Sequence, residues 1–285
     1  MKSAKLLTLA VAWFSVPFLS AQSIPVSSIH FLSCPGASNT LLNGVSNNDI
    51  GVGTYIAEGD GQHGYMVHNG KCTTIDNPDG TTWLIAANSN GTLVGYYNNS
   101  GNFFAFSYSN GVFTNLGPPG GTQTFANGIN DNGVITGSYL DPITGLNEGW
   151  VLENGTYETV LSPQNGASAF ATDTNINGIT TLWWINSVSG YVESSIYDGT
   201  TYRTANVPGA TNSYIRAIDA SGDTVYEWQD SAGNDHGAVQ VDGRFRKFDI
   251  PGCNATVANG INDHHLIVGS CATTAGPRVG FYVKY

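Results

Sequence analysis

Carboxyl groups in the connections that follow apolar runs are the side chains of this sequence that could do chemistry. Two carboxyl groups at a set separation can cleave a glycosidic bond, one as the acid and the other as the base or nucleophile. Asp141 and Asp230 share one position of a repeated pattern, and Asn99 and Asn186 fill that position elsewhere. Asn and Asp replace each other in turns, where either side chain accepts a hydrogen bond from the nearby backbone. The pattern therefore predicts turn residues that could contact a ligand, and no catalytic residue.

Two rows of large residues recur in phase along the chain and are the second kind of candidate. Aromatic side chains stack on the apolar faces of sugar rings and leave the hydroxyl groups free to form hydrogen bonds. We predict Trp184 and Trp228, with Tyr139, as ligand-binding residues; the alternative is that both rows pack between neighbouring repeats. The first row is Leu41, Trp83, Phe125, Phe170, Tyr214 and Val257, and the second is Tyr55, Tyr97, Tyr139, Trp184, Trp228 and Cys271.

Metal and cofactor motifs are incomplete in this sequence. Residues 173–178 match the first half of a calcium-binding loop, but Trp184 stands where that loop requires Glu. Zinc needs three or four converging ligands, and His264 and His265 form an isolated pair. We expect no metal and no cofactor.

The candidate residues belong to a repeat that determines how they are positioned. The segment at residues 128–139 has relatives at residues 44–55 and 260–271, and successive copies are 42 to 45 residues apart. Each unit reads as four short runs rich in Val, Ile, Thr and aromatic residues, with an Asn-Gly or Asp-Gly hairpin signal in phase. Four strands in one such period are typical of a β-propeller blade.

The two ends of the chain indicate how the ring closes. Residues 24–36 resemble only the end of a unit, and residues 258–285 resemble only its beginning. Joined, they make a composite blade that leaves no strand edge open. We therefore predict an all-β, six-bladed β-propeller of four-stranded blades, with the last blade closed by the N-terminal strand. The five whole units are residues 41–83, 84–125, 126–170, 171–214 and 215–257.

The first 21 residues have the features of a secretory signal peptide. Lys2 and Lys5 precede an apolar stretch and a small-residue cleavage site, and residues 22–285 would then form a single domain. Without the signal the chain has 8 basic and 21 acidic residues, a net charge of −13. This charge disfavours a nucleic-acid partner, and no other stretch is long and apolar enough for a membrane span. We expect a secreted, extracellular protein, with the periplasm as the alternative.

The four cysteines are expected to form disulfides in an exported protein. Alternating strand direction puts Cys253 and Cys271 at one end of the composite blade and Cys72 at the opposite end of the ring. We predict a Cys253–Cys271 pair, with Cys34–Cys253 or Cys34–Cys271 as alternatives, and an unpaired Cys72.

A tripeptide in the third strand of most units completes the repeat: His63-Gly64-Tyr65, Phe104-Ala105-Phe106, Glu148-Gly149-Trp150, His236-Gly237-Ala238 and Val279-Gly280-Phe281. Together with the Gly-Ile-Asn-Asp segment and the hairpin signal, it resembles the bacterial extracellular HAF-repeat family over nearly the whole mature chain. Leu182, Tyr226 and residues 192–194 depart from the pattern. The resemblance implies a secreted propeller-like domain and no reaction.

The low content of charged residues suits an uncharged ligand. Only 11% of the residues are charged, against roughly 25% in ordinary soluble domains. We expect a non-enzymatic exported binding module that uses one propeller face for a carbohydrate or a cell-surface protein. The alternatives are a polysaccharide hydrolase or lyase that uses loop carboxylates, and a purely structural surface component. The ligand and the oligomeric state stay open.

Overall fold

The computed structural model describes residues 29–285 as six antiparallel sheets of four strands arranged in a ring. We name the strands of each blade A to D, starting at the strand nearest the centre. Blade 1 is β2 (Ala37–Val45), β3 (Gly51–Ala57), β4 (Gly61–His68) and β5 (Lys71–Thr74); blade 2 is β6 (Thr81–Ala87), β7 (Leu93–Asn99), β8 (Asn102–Ser109) and β9 (Val112–Leu116); blade 3 is β10 (Thr122–Ile129), β11 (Ile135–Leu140), β12 (Asn147–Glu153) and β13 (Thr156–Val160). Blade 4 is β14 (Ala169–Thr174), β15 (Thr180–Ile185), β16 (Val192–Tyr197) and β17 (Tyr202–Thr204); blade 5 is β18 (Asn212–Ile218), β19 (Thr224–Gln229), β20 (Asp235–Val241) and β21 (Arg244–Phe248).

Blade 6 joins the two ends of the chain. It is built from β22 (Cys253–Ile261), β23 (Leu266–Thr273), β24 (Arg278–Lys284) and, as its outer strand, β1 (Ile29–Leu32). Ile29 pairs with Val283 and Leu32 with Gly280. This arrangement confirms the predicted six-bladed propeller and its closure by the N-terminal strand. The predicted signal peptide at residues 1–21 lies outside the described residues.

Tight approach between strands A and B explains the recurring glycine of the repeat. A Cβ on Gly137 would collide with the carbonyl oxygen of Phe125 and with the ring of Trp150, its partner on strand C. In blades 4 and 5 the large residue is instead on strand B, where Leu182 faces Ser195 and Tyr226 faces Ala238. In these two blades the large residue lies on strand B and the small one on strand C, the reverse of the repeat. The total side-chain volume is therefore similar, and the interior of the blade stays filled.

Side-chain amides join neighbouring blades near the channel. Each A–B turn, the turn between the first and second strands, begins at an equivalent position. There Asn88 Nδ2 donates to the Asn130 carbonyl at 3.2 Å, and Asn130 Nδ2 donates to the Asn175 carbonyl at 3.0 Å. Asn175 and Asn262 continue the pattern to the next blade. We call this set the amide ring; Ser46 and Asp219 occupy its two remaining positions, where no amide is available.

The structure contains two disulfides, and one of them corrects the sequence prediction. Cys253 pairs with Cys271 inside blade 6, with Cα atoms 5.7 Å apart. Cys34 pairs with Cys72, with Cα atoms 5.9 Å apart, so the expectation of an unpaired Cys72 is wrong. The prediction assumed that the connection after β1 stays at one end of the ring, opposite to Cys72. The connection instead packs into the next blade, as Ile250 does at the equivalent position of the connection into blade 6.

Candidate functional site

Trp184 and Trp228 lie inside the blades. Their exposed fractions are 7% and 8%. Trp184 Nε1 donates a hydrogen bond to Ser195 Oγ at 3.1 Å. The ring of Trp228 stacks on His236 with centroids 4.5 Å apart, and the Lys247 ammonium group lies 3.8 Å from its centroid. This burial favours packing as their role, and their contact with a ligand stays a prediction.

Tyr139, Asp141 and Asp230 have local partners near the B–C connections. The Tyr139 hydroxyl donates to Glu148 at 2.6 Å, and burial together with that carboxylate raises the pKa of Tyr139 to about 12. Asp141 accepts a hydrogen bond at 2.8 Å from the backbone two residues on. Side-chain and backbone hydrogen bonds from Asn234 hold the pKa of Asp230 well below its usual range. Both aspartates therefore stabilise turns, as their exchange with Asn in the repeat indicated.

The cavity at the centre of the ring is a candidate binding site. It has a volume of about 360 Å³ and is lined by inner strands and A–B turns of all six blades. Propeller channels collect equivalent residues from every blade, so the side chains at a few repeated positions determine the chemistry of the wall. The first of the two predicted rows supplies part of that wall.

One side of the channel is an arc of aromatic rings from blades 2 to 5. We call it the aromatic arc: Tyr96, Phe125, Phe170 and Trp183 line the cavity, and Trp83, Phe103 and Tyr214 contact these rings. Phe170 stacks on Trp183 with centroids 3.9 Å apart, and Trp183 meets the edge of Tyr214 at 5.5 Å. Blades 1 and 6 have Thr54 and Ser270 at the strand-B position of Trp183. Among the lining residues of the described chain, the aromatic side chains come from blades 2 to 4, and blades 1 and 6 supply none.

Arg216 adds a charged group to this wall. Its guanidinium forms an ion pair with Glu227 and lies 5.4 Å from the centroid of Tyr214. Its Nε group is buried and has no hydrogen-bond partner in the described part of the chain. Burial raises the pKa of Tyr96 to about 12, and the charge of Arg216 opposes that rise. The channel wall thus combines stacking surface with the guanidinium group of Arg216, whose Nε donor is buried behind it.

Polar side chains of the A–B turns border the same cavity. Asn47 Nδ2 donates to Asp131 at 3.0 Å and to Asp263 at 2.7 Å, which links blade 1 to blades 3 and 6. Asn43 and Asn127 use their Nδ2 groups to bind the carbonyls of the following blades. Their amide oxygens have no partner among residues 29–285 and are available as acceptors for hydroxyl groups.

A cluster that the sequence did not indicate lies beside the channel, where blades 5 and 6 meet. Asp219, Asp223 and His265 each bring one potential metal-ligating atom within 4.8 Å of the other two. His265 lies about one repeat beyond the two aspartates, so the spacing of the three residues matches no short metal motif. The signal that could have identified them is their departure from the residue types found at the same positions of the other blades.

Solved structures are similar to this chain in fold. A catalytically inactive virginiamycin B lyase from Staphylococcus aureus with quinupristin has a TM-score of 0.51 and 14% identity, over 90% of this chain and 99% of that one. The lectin SapL1 in complex with alpha methyl fucoside has a TM-score of 0.54 and 11% identity, over 87% and 94% of the two chains. AofleA from Arthrobotrys oligospora gives 0.56 and 11%, over 90% and 86%. No protein-family profile and no curated protein matches. At these identities the likeness shows the propeller fold alone.

The two disulfides indicate an oxidising compartment outside the cytoplasm. Within residues 29–285 we find no helix with the length and apolar character needed to cross a membrane.

Proposed function

We propose that this protein is a non-enzymatic, exported binding module that takes a carbohydrate in its central channel. The observation that carries the proposal is the aromatic arc beside the unpartnered Nε donor of Arg216. A sugar ring has apolar faces for stacking and hydroxyl groups that both donate and accept hydrogen bonds, and this wall offers a counterpart to each. The cavity of about 360 Å³ lies within the size range of small-molecule sites.

Several further points support parts of the proposal. The two disulfides and the predicted signal peptide at residues 1–21 favour export. The repeat pattern favours membership of the extracellular HAF-repeat family. The loop carboxylates Asp141 and Asp230 are held in turns, so the hydrolase or lyase alternative gains no support from them.

A glycan array followed by calorimetric titration tests the proposal. In the titration, Trp183→Ala should lower the affinity for a captured glycan by about 5- to 150-fold, as expected for a stacking anchor worth roughly 1–3 kcal/mol. Arg216→Lys keeps the charge but loses the Nε donor, and should also weaken binding. Phe104→Ala is the matched control, because Phe104 is aromatic, 40% exposed and outside the arc.

Thermal unfolding of each variant separates lost binding from lost folding. Unchanged affinity in a folded Trp183→Ala protein would place any glycan site elsewhere on the molecule. Turnover of the captured glycan would contradict a purely binding role. A wild-type protein that captures no glycan would leave a cell-surface protein or a structural role as the better hypothesis.

A further inference from the structure

Three side chains outside the proposed carbohydrate contacts converge between the A–B turns of blades 5 and 6. Asp219 and Asp223 flank the turn of blade 5, and His265 lies in the turn of blade 6. One potential ligand atom from each lies within 4.8 Å of the other two. The exposed fraction is 3% for Asp219 and 7% for Asp223, whereas His265 is exposed. The cluster is therefore buried on the carboxylate side and open on the imidazole side.

Asp219 has a buried oxygen without a partner. Its Oδ1 accepts a hydrogen bond from the backbone N–H of Asp223 at 2.9 Å, and its Oδ2 is buried with no hydrogen-bond partner in the described chain. Asn175, one blade earlier, uses Nδ2 at this position to donate to the next carbonyl. An ionised carboxylate cannot do so. Burial, with the like charges of Asp223 and Asp263, raises the pKa of Asp219 to about 6. A compensating cation would remove this penalty.

All three residues depart from the repeat. The other blades have Asn or Ser at the position of Asp219, an apolar residue or Thr at that of Asp223, and Gly or Asp at that of His265. His265 has a φ of 59°, in the left-handed region that favours glycine. Three departures from separate places in the sequence meet at one point. Local rules of a fold are most often broken where a site requires it.

Tyr285 holds two members of the cluster in place. Its hydroxyl donates to Asp223 Oδ2 at 3.2 Å and lies 3.3 Å from His265 Nδ1. Its backbone N–H donates to the His265 carbonyl at 3.3 Å. Groups that bind metals are commonly oriented by such a hydrogen-bonded neighbour, which fixes the ring or the carboxylate before the ion arrives.

We propose that Asp219, Asp223 and His265 bind a divalent cation, with Zn²⁺ the best match. Ca²⁺ and Mg²⁺ prefer oxygen ligands alone, whereas an imidazole combined with carboxylates suits Zn²⁺. Three protein ligands leave a fourth position for water or another ligand. The ion would link blade 5 to blade 6 at the place where Asp219 interrupts the amide ring, and so would stabilise the closed ring.

Metal titration of the full mature protein without an affinity tag tests this site. After EDTA treatment and dialysis, calorimetry should detect one Zn²⁺ per chain. The melting temperature should rise by ~5–10 °C when free Zn²⁺ is about a hundredfold above its Kd. His265→Gly should abolish the response without lowering the metal-free melting temperature, because glycine is the common residue at this left-handed position. His264→Ala, at the adjacent histidine, is the matched control and should respond as the wild type does.

Asp219→Asn distinguishes the proposed metal site from the alternative that the buried Oδ2 of Asp219 is protonated. We expect this variant to lose the Zn²⁺ response, and to melt higher than the wild type without metal because an amide can continue the ring. A wild-type protein that does not respond to Zn²⁺, together with a more stable Asp219→Asn variant, would show instead that Asp219 carries a proton. An equal response in His265→Gly and the wild type would also overturn the proposal. A response to Ca²⁺ and not Zn²⁺ would overturn the choice of ion. None of these measurements depends on carbohydrate binding.

Discussion

Asp173 is a carboxylate in the wall of the central channel, at a position where the other blades have Gly or Ala. Its oxygens accept hydrogen bonds from the backbone N–H groups of Ile218 at 3.1 Å and Thr174 at 2.9 Å. Burial outweighs these bonds and raises the pKa of Asp173 to about 7. The residue therefore exchanges a proton near neutral pH, inside the cavity proposed to hold the ligand.

We expect Asp173 to make stability fall as the pH rises from about 4 to about 7. The unfolded side chain has a pKa of 3.8, so between these values the folded protein binds a proton that the unfolded chain does not. Stability from this group is therefore fully present at low pH and is lost as the pH passes the folded pKa. In Asp173→Asn, melting temperatures measured between about pH 5 and about pH 8 should fall less than in the wild type.

Asp242→Asn is the control for this comparison, because it removes the same charge at an exposed hairpin tip. It should keep the wild-type dependence on pH. Equal slopes for Asp173→Asn and the wild type would contradict the assignment.

At the scale of the elements, the connections between blades contribute to packing as well as to topology. Cys34, in the connection after β1, belongs to an apolar cluster with Leu42, Tyr65 and Val268, and its disulfide to Cys72 reaches the outer strand of blade 1. Ile250 at the equivalent position is 1% exposed. The Cys34–Cys72 bond therefore adds a covalent link at a position where the connection into blade 6 has only the apolar packing of Ile250.

Replacing both Cys34 and Cys72 with Val keeps apolar packing and removes the covalent link. The cysteines are 38 residues apart, so chain entropy predicts a loss of roughly 3–4 kcal/mol in the free energy of unfolding. Denaturant unfolding under oxidising conditions measures the difference. The same variant compared with wild type under reducing conditions controls for the change in packing. Equal stability of oxidised wild type and variant would show that the bond does not constrain the unfolded chain.

At the scale of the whole molecule, stability depends on joining the first and last strands. β1 covers the edge of β24, which would otherwise expose unpaired backbone groups. A chain that starts at Ser33 keeps both disulfides but lacks β1. We expect it to melt many degrees lower than a chain that starts at Ile29, or to aggregate through the open edge. An unchanged melting temperature in calorimetry would mean that this strand pair does not hold the ring closed.

The architecture is predictable from the sequence because the repeat places turn signals at regular intervals and the partial units at the two ends complement each other. The interior of a blade is harder to predict. Leu182 and Tyr226 look like losses of the repeat glycine until their small partners on strand C are known. The burial of Trp184 follows from packing between strands, which a row of aromatic residues does not reveal.

The cluster at Asp219 and His265 is hard to recognise for a different reason. Its members come from two blades, and the contact exists only after the ring has brought consecutive A–B turns side by side. The same reason applies to Cys34 and Cys72, because the path of a connection across the gap between blades is a property of the ring.

The amide ring has a direction, since each asparagine donates to the carbonyl of the blade that follows it. Every such blade thus has a donor on one side and an acceptor on the other, so this contact can be repeated between any number of blades. A duplicated blade of this kind would find both ends matched on insertion. These hydrogen bonds therefore stabilise the ring but do not specify the number of blades. The number of blades instead depends on the angle between neighbouring blades, which is set by the volume of the side chains packed between them. A gain or loss of one blade during evolution would therefore require a change in this packing.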